Sequence, residues 1–454
     1  MKSFRERLGR ELLFFDGAMG TQIQALGIEY TGSPEDLNIT HPDAIYSIHA
    51  RYLQSGADII LANTFGANKI KYHGAYSVSE VVRAGVEIAK KAVADSGKNA
   101  YVAVDVGSTG KLLEPYGDLS FDEAYDAFAE LVRAGAEAGA DLISIETMMD
   151  IYEMKAAILA ARENCSLPIT ATMSFEGSGK TLTGNSPAVA ATVIGSLGVD
   201  VLGINCGLGP EQCVPILAEM RRYTSVPVAV SPNAGLPEYV DGRTFYPLGA
   251  EDFAARMGAI VENGAVILGG CCGTTPEHIK ALTEAYGGKA PVVTGDGQRM
   301  ELVSSRSRVM AIDGGEAVIG ERLNSAKNPE LCEAIADGDT YYAGDEAMAQ
   351  EEDGAEILTV NVSSAETDEV SAIVDVIKSA QSMTALPLMI EADSLHALEK
   401  ALRVYNGRPA VKMGGGISPS FLRMLAKKYG ACVVEQTGGD ASGDTVRASL
   451  KSVK

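Results

Sequence analysis

The sequence has no tryptophan, only 5 histidines and an odd number of cysteines, 7, among 454 residues. Positive charge is also scarce: 38 Lys and Arg stand against 60 Asp and Glu, a net charge of −22. Such a chain repels phosphates, so neither nucleic acid nor a membrane surface is an expected partner. No apolar run approaches the roughly 18 residues that a bilayer-spanning helix needs. Scattered cysteines in odd number indicate reduced thiols and hence a cytoplasmic protein.

Short apolar runs alternate with longer segments of helical periodicity over residues 1–290. Eight runs predict strands, at 12–15, 59–62, 101–105, 142–146, 169–174, 201–205, 228–231 and 265–269. Because the runs are continuously apolar, they favour a parallel sheet that is covered on both faces. Eight such units predict an α/β fold in which residues 1–290 form a (β/α)₈ TIM barrel.

The remaining chain is shorter and less regular. Residues 291–315 are rich in Gly, Ser and charge, which predicts a linker. Residues 316–454 hold five further strand-like runs, at 317–319, 357–361, 387–391, 410–413 and 431–435. This number predicts a smaller, partial-barrel-like α/β domain. Its two open sheet edges would need covering or pairing, for example with a second copy of the chain.

Three cysteines follow predicted strands directly. Cys206 comes after the sixth strand, and the adjacent Cys271 and Cys272 come after the eighth. The carboxyl ends of all barrel strands meet at one mouth, so the three sulfurs can come together there. Three thiolates with an open fourth position are typical of a catalytic Zn²⁺ site, where a substrate thiol completes the coordination. The residues alone leave two alternatives, buried apolar thiols and a disulfide between the adjacent pair.

Several motifs in this region resemble the homocysteine S-methyltransferase family, most closely the homocysteine-binding barrel of cobalamin-dependent methionine synthases. They are FDGAMGTQIQ, NTFGANKIK, SFEGSGKTLTGNSP, GINCGLGPE, SPNAGLP and GGCCGTTPEHI. The resemblance implies that Cys206, Cys271 and Cys272 are the zinc ligands and catalytic residues, with Asn233 close to the metal. It also implies a methyltransferase that converts homocysteine to methionine.

The amino-acid end of that substrate needs acceptors for an ammonium group and donors for a carboxylate. The resemblance implies Asp16 and Glu146 as acceptors, with Thr64 and the backbone N–H groups of Gly17 and Ala18 facing the carboxylate. Two other readings stay open from the residues alone. The Asp-Gly pair could serve only turn chemistry, and the glutamate could form a buried ion pair with a barrel Lys or Arg. The histidine of TTPEHIK, His278, is expected on a helix surface rather than beside the metal.

The segment after the linker resembles the folate-binding barrel of methionine synthases. Three motif positions keep the residues of that barrel: Glu321, Asn324 and Asn361. Thr359, Glu391 and Lys412 depart from the pattern, and a lysine offers no acceptor for a pterin. Folate binding is therefore expected to be lost, and the segment is expected to mediate dimerisation or partner docking.

The chain contains no Asp-x-His-x-x-Gly string of the kind that ligates the cobalt of cobalamin. The methyl donor is therefore expected to arrive separately, as methylcobalamin on a corrinoid protein or as a small donor such as S-methylmethionine or betaine. Two rival hypotheses remain. One is a methyltransferase that uses another thiol acceptor in corrinoid-dependent demethylation. The other is a non-catalytic protein that binds a thiol or a metal and recruits a partner.

Overall fold

The computed structural model describes residues 2–28, 30, 32–240, 243–292, 301–312, 314–365, 367–413, 416–438 and 444–453. The chain divides into two compact units. One comprises Met1–Pro187 and Val199–Gly297, and the other comprises Ala188–Gly198 and Gln298–Lys454. Among the described residues, none of the helices combines the length and apolarity that crossing a bilayer requires.

The first unit is built around eight parallel strands. They are β1 (Leu13–Phe14), β2 (Ile59–Leu61), β3 (Tyr101–Val106), β4 (Leu142–Met148), β5 (Ile169–Met173), β6 (Val201–Asn205), β7 (Val228–Ser231) and β10 (Ala265–Leu268), with a small hairpin of β8 (Glu238–Val240) and β9 (Arg243–Phe245) inserted. Their order is β1-β10-β7-β6-β5-β4-β3-β2. A parallel bridge between Phe15 and Ile59 joins the two ends of the sheet. The predicted TIM barrel is confirmed.

Helices connect the strands of this sheet. They are α1 (Phe4–Arg7), α2 (Met19–Ala25), α3 (Leu37–Thr40), α4 (Pro42–Gln54), α5 (Val78–Ser96), α6 (Phe121–Glu137), α7 (Ile151–Asn164), α8 (Pro187–Ser196), α9 (Pro210–Tyr223), α10 (Ala250–Glu262) and α11 (Pro276–Tyr286), with a 3₁₀ turn at Pro34–Asp36. Helix α6 begins with a capping box, in which the Ser120 side chain accepts from the Glu123 backbone and the Glu123 side chain accepts from the Ser120 backbone. Helix α5 begins in the same way.

The period of two along each strand decides which residues reach the barrel interior. Tyr101 and Ala103 of β3 and Leu142 of β4 belong to the buried central cluster. Continuing that alternation towards the carboxyl ends brings Asp105 and Glu146 to the inner rim of the mouth. The barrel therefore closes with apolar layers below and a polar layer above.

The second unit contains a hairpin followed by a six-stranded barrel. The strands are β11 (Glu301–Ser304), β12 (Val309–Ile312), β13 (Glu316–Gly320), β14 (Ile357–Val360), β15 (Leu388–Ile390), β16 (Ala410–Lys412), β17 (Cys432–Thr437) and β18 (Thr445–Ser452). Its helices are α12 (Pro329–Asp337), α13 (Tyr342–Glu352), α14 (Glu369–Met383), α15 (Leu395–Val404) and α16 (Pro419–Tyr429). Strands β13 to β18 form a closed barrel in chain order.

The expectation of two open sheet edges is wrong. Strand β18 runs antiparallel to both β13 and β17 and closes the ring between them. Strand β18 was not predicted because it alternates buried and exposed residues and therefore leaves no continuous apolar run in the sequence. Closure removes the physical reason that favoured dimerisation through this segment.

The predicted linker also differs from the structure. Residues 301–312 of that stretch form the antiparallel hairpin of β11 and β12. Val303 and Ile312 are buried in the core cluster of the second unit. Residues 293–300 and 313 of the predicted linker lie outside the described residues.

Candidate metal centre and substrate cavity

Three thiols meet at the carboxyl-end mouth of the first barrel. The sulfurs of Cys206, Cys271 and Cys272 all lie within 4.8 Å of one another. All three cysteines are free and half-buried, so the alternatives of a disulfide in the adjacent pair and of thiols sealed in the core do not hold. The strand order brings them together, because β10, which precedes the pair, and β6, which precedes Cys206, both flank β7.

Backbone hydrogen bonds hold these cysteines in place. Cys206 has a φ of 57°, a left-handed conformation that is uncommon for a residue with a side chain. Its N–H donates to the Ser231 carbonyl at 3.1 Å. The N–H of Cys271 donates to the Pro232 carbonyl at 2.8 Å, and the Cys272 carbonyl accepts from the Ala234 N–H at 3.0 Å. Ser231, Pro232 and Ala234 belong to the SPNA segment, which therefore binds both cysteine loops.

The contacts among the three thiols favour a thiolate at Cys272. Hydrogen bonds from Cys206 and then from Cys271 lower the pKa of Cys272 to about 3. Hydrogen bonds with Cys206 and then with Cys272 raise the pKa of Cys271 well above its usual value. Tyr246 also donates a hydrogen bond to Cys272 and further favours its thiolate. The cluster is thus built to hold negative charge on sulfur.

This donor set fits Zn²⁺. Zn–S bonds of about 2.3 Å in a tetrahedral arrangement place two sulfurs about 3.8 Å apart. The Cys206 and Cys272 sulfurs are 3.8 Å apart. Asn233, which was predicted beside the metal, lies between Pro232 and Ala234 in the segment that binds the cysteine loops. Its Oδ1 is buried and has no hydrogen-bond partner, so this oxygen is free for a ligand role.

The thiols open onto a cavity of about 410 Å³. Its charged and polar lining side chains are Asp16, Thr21, Glu35, Asn63, Asp105, Glu146, Thr147, Asn205, Ser231 and the three cysteines. None of the described residues that line it is Lys, Arg or His. A cavity with four carboxyl groups and no basic side chain has the electrostatics of a cation-binding site.

Both predicted ammonium acceptors line this cavity. Asp16 is 2% exposed and its Oδ2 accepts from the Leu61 N–H at 3.0 Å, while its Oδ1 has no partner. Burial raises the pKa of Asp16 well above its usual value, and nearby Glu146 raises it further. Burial, followed by the charge of Cys272, raises the pKa of Glu146 to about 7. Among the described residues Glu146 makes no ion pair, so the alternative of a structural salt bridge does not hold.

Two of the predicted carboxylate contacts are already used inside the protein. Thr64 is fully buried, and its hydroxyl donates to the Asp105 carbonyl at 2.8 Å and accepts from the Asp105 N–H at 3.0 Å. It is not among the residues that line the cavity, which corrects the prediction that it faces the substrate. The N–H of Ala18 donates to Thr274 Oγ1 at 3.2 Å.

Gly17 does line the cavity, and there is no room for a larger residue at that position. A Cβ there would lie 2.7 Å from Thr274 Oγ1 and 2.9 Å from the Tyr52 hydroxyl. Thr21, four residues further on, was missed by the sequence reasoning. Its hydroxyl is buried, has no partner and lines the cavity, so it can donate to an anionic group.

His278 is neither exposed nor a metal ligand. It is 8% exposed, and its Nδ1 accepts from the Thr275 N–H at 3.2 Å while its Nε2 lies 2.8 Å from the Leu248 carbonyl. The expectation of a surface histidine is therefore wrong, because the ring caps the start of α11 from the inside. Burial at this position was not visible in the helical pattern.

The polar residues singled out in the second unit also gather at one barrel mouth. Asn324 and Asn361 form a bridge, and Asn324 Nδ2 donates to Glu321 Oε2 at 3.1 Å. Lys412 Nζ lies 3.4 Å from Glu391 Oε2, so each neutralises the other. The Thr359 hydroxyl is buried without a partner.

A parallel (β/α)₈ barrel with three thiols and four carboxyl groups at its mouth defines the class: a barrel enzyme with an acidic, thiol-rich cavity. The chain belongs to the homocysteine S-methyltransferase family: residues 13–286, more than half of its length, match the family model of that description.

Two curated relatives are named methionine synthase. The protein from Mycobacterium tuberculosis is 32% identical over 462 residues, and the alignment covers 95% of this chain and 38% of that protein. The protein from Mycobacterium leprae is 31% identical over 467 residues, with the same two coverages, 95% and 38%. This chain thus spans about two fifths of the length of these relatives.

Solved structures of the homocysteine methyltransferase MmuM from Escherichia coli share the fold. The metallated form has a TM-score of 0.51 at 24% identity and covers 61% of this chain and 96% of its own. The oxidized form has a TM-score of 0.51 at 25% identity, with coverages of 60% and 95%. These likenesses support the barrel architecture of the first unit.

Proposed function

We propose that this protein is a zinc-dependent methyltransferase that methylates the thiol of homocysteine and produces methionine. The observation that carries the proposal is the cluster of three free sulfurs, all within 4.8 Å of one another, on an acidic cavity. Cys206, Cys271 and Cys272 would hold the metal, and Asn233 would stand by as a fourth ligand. When bound, Zn²⁺ lowers the pKa of a substrate thiol and favours its nucleophilic thiolate.

The chain's own groups bind the amino-acid end of the substrate. Asp16 Oδ1 is buried and unpaired, and Glu146 makes no ion pair among the described residues, so both can accept from an ammonium group. The Thr21 hydroxyl and the Gly17 N–H are the donors we assign to the carboxylate. Binding at this end aims the substrate sulfur at the cysteine cluster, which lines the same cavity. The sulfur then bonds to the methyl carbon as the bond between that carbon and its donor breaks.

The methyl donor is proposed to arrive from outside the two described units. A methylcobalamin carried by a corrinoid-binding protein or domain is one candidate class, and a small sulfonium or ammonium compound such as S-methylmethionine or betaine is the other. All seven cysteines are free, which agrees with the proposed cytoplasmic location.

The second unit is proposed not to bind methyltetrahydrofolate. The contact between Lys412 Nζ and Glu391 Oε2, at 3.4 Å, supports this because it pairs the carboxylate that a pterin would need. Calorimetric titration with methyltetrahydrofolate tests the proposal directly. Micromolar binding would overturn it.

The proposed function is tested by incubating the protein with zinc, L-homocysteine and each candidate donor, with methionine as the readout. Cys206→Ser should lose bound zinc and methionine formation together, because one of three protein ligands is gone. Cys332→Ser is the matched control, since Cys332 is also free and half-buried but lies in the second unit. Turnover by a zinc-free protein would contradict the mechanism.

The same assay separates the rival functions. Methylation of a different thiol in preference to homocysteine would favour an enzyme of corrinoid-dependent demethylation. Capture of a corrinoid protein with no methyl transfer to any thiol would favour a non-catalytic recruiting protein. Asp16 Oδ1 has no hydrogen-bond partner, and none of the described residues that line the cavity is basic. Both observations favour a cationic substrate in either enzyme.

A further inference from the structure

Asp105 is a carboxylate on this cavity that the metal cluster and the predicted acceptors do not account for. It occupies the interior position of β3 that follows Tyr101 and Ala103, and it lines the same cavity as Asp16 and Glu146. The residue is 7% exposed, and its Oδ1 is buried without a hydrogen-bond partner. A buried, unpaired carboxylate oxygen is unfavourable for the empty protein unless a ligand satisfies it.

The fold holds Asp105 firmly in this unfavourable place. One side chain, that of Thr64, bonds to both backbone groups of Asp105, at 2.8 Å to the carbonyl and 3.0 Å from the N–H. The strand pairing of β3 with β4 also places Asp105 opposite Ser144, two residues before Glu146. Thr64 is therefore a positioning residue that acts through Asp105.

Little counter-charge surrounds Asp105: Lys71, which is not among the residues that line the cavity, offsets the neighbouring carboxylates only in part. None of the described lining residues is basic. Burial raises the pKa of Asp105 well above its usual value, and the nearby charges of Glu146 and Asp16 raise it further. It is therefore unfavourable for all three carboxyl groups to be ionised until a cation enters.

We propose that Asp105 is the third acceptor for the substrate's ammonium group, beside Asp16 and Glu146. An ammonium group carries three N–H donors. The cavity offers one unpaired oxygen on Asp16, one on Asp105 and the carboxylate of Glu146. This assignment rests on the proposed function, because it takes the substrate to be an α-amino acid thiol. The assignment predicts that the cavity prefers thiols that carry an ammonium group, since a thiol without one leaves all three carboxyl groups unpaired.

The test uses two variants and one control. Asp105→Asn keeps the shape and removes the charge, and Asp105→Ala also removes the acceptor. Asp126→Asn removes the same charge from the exposed face of α6 and serves as the control. Calorimetry on the zinc-loaded protein compares L-homocysteine with 4-sulfanylbutanoate, which has the same carbon chain without the ammonium group. L-methionine, titrated into zinc-free protein, gives a readout that depends on neither the metal nor turnover.

We expect Asp105→Asn to weaken L-homocysteine and L-methionine binding by about 10- to 100-fold, as expected for a lost hydrogen bond to a charged group. Asp105→Ala should weaken it at least as much. Affinity for 4-sulfanylbutanoate should stay the same or rise, and Asp126→Asn should match the wild type. The thermal midpoint of ligand-free Asp105→Asn should equal or exceed that of the wild type, because a buried carboxyl group that is unfavourable to ionise is gone.

Three outcomes would contradict either the proposed role of Asp105 or the proposed function of the protein. Unchanged L-homocysteine affinity in both Asp105 variants of an active enzyme would overturn the role of Asp105 alone. Equal losses for both thiols together with a lower thermal midpoint would assign Asp105 a structural role and also overturn the proposal. Asp105-dependent L-methionine binding by a wild-type protein that methylates no thiol would overturn the proposed function alone.

Discussion

Glu146 should stabilise the bound substrate and destabilise the empty protein, and replacing it by glutamine separates the two effects. Burial, followed by the charge of Cys272, raises its pKa from 4.5 to about 7. The folded state therefore holds the proton more tightly than the unfolded chain. The resulting cost to stability is absent below pH 4.5, grows as the pH rises and is complete above pH 7. A shift of this size corresponds to about 3 kcal/mol.

Glu146→Gln should accordingly raise the free energy of unfolding of zinc-free protein by about 3 kcal/mol at pH 8.5 and leave it nearly unchanged at pH 4.5. Urea unfolding followed by circular dichroism at the two pH values measures this. The same variant should bind L-homocysteine about 10- to 100-fold more weakly, because a charged acceptor is lost. Glu137→Gln, on the exposed face of α6, is the matched control for charge.

A loss of stability at pH 8.5 would refute this reasoning, since it would mean that the Glu146 carboxylate is paired in the empty protein. A gain that is equal at both pH values would also refute it, because only the charged form is predicted to be unfavourable.

Three further predictions follow from buried groups. His49 is fully buried, both ring nitrogens lack partners, and burial lowers its pKa from 6.5 to about 4. Since the unfolded chain then binds more protons, His49 should cost the wild type about 3 kcal/mol of stability between pH 6.5 and pH 4. Urea titrations should show that His49→Leu loses about that much less than the wild type over this range, and identical pH dependences would count against this account. Thr21→Val should raise the KM for homocysteine about 10-fold with kcat nearly unchanged, and steady-state kinetics with an unaltered KM would remove Thr21 from the site. Leu450→Ala should cost the second unit about 3 kcal/mol, because the side chain is 2% exposed inside the closed barrel; zinc content should stay at the wild-type value, and unchanged unfolding would argue against a packed interior.

The strands of the first barrel were predictable because their residues are buried on both faces, which leaves continuous apolar runs in the sequence. Strand β18 was not, because only one of its faces is buried. Val446 and Ala448 are each 2% exposed, whereas Thr445 and Arg447 face outward. This alternation leaves no continuous apolar run in the sequence. It also suits the position of the strand, which closes the barrel with one face towards the core and the other face outward.

The cysteine cluster was predictable from chemistry and position, since thiols at strand ends can meet only at the mouth of a barrel. The substrate contacts were less so. Thr64 follows strand β2 and Thr21 lies in helix α2, which follows strand β1. The Thr64 hydroxyl is bound by the backbone of Asp105, 41 residues away along the chain. No local pattern reports a partner at that distance. Thr21 has no such partner, and its hydroxyl remains available in the cavity.

The role of Asp105 was only partly predictable from the sequence. Its place in the interior follows from the alternation of Tyr101 and Ala103 along β3 and could have been read from the sequence. Asp105 points to a cationic ligand because none of the described side chains that line the cavity is basic. That absence depends on every element around the mouth at once. A carboxylate in a barrel core is ordinary when a lysine or arginine pairs with it. Asp16 and Asp105 each keep a buried oxygen unpaired, and none of the described residues that line the cavity is basic. The ammonium group of the substrate is the partner that we propose for both.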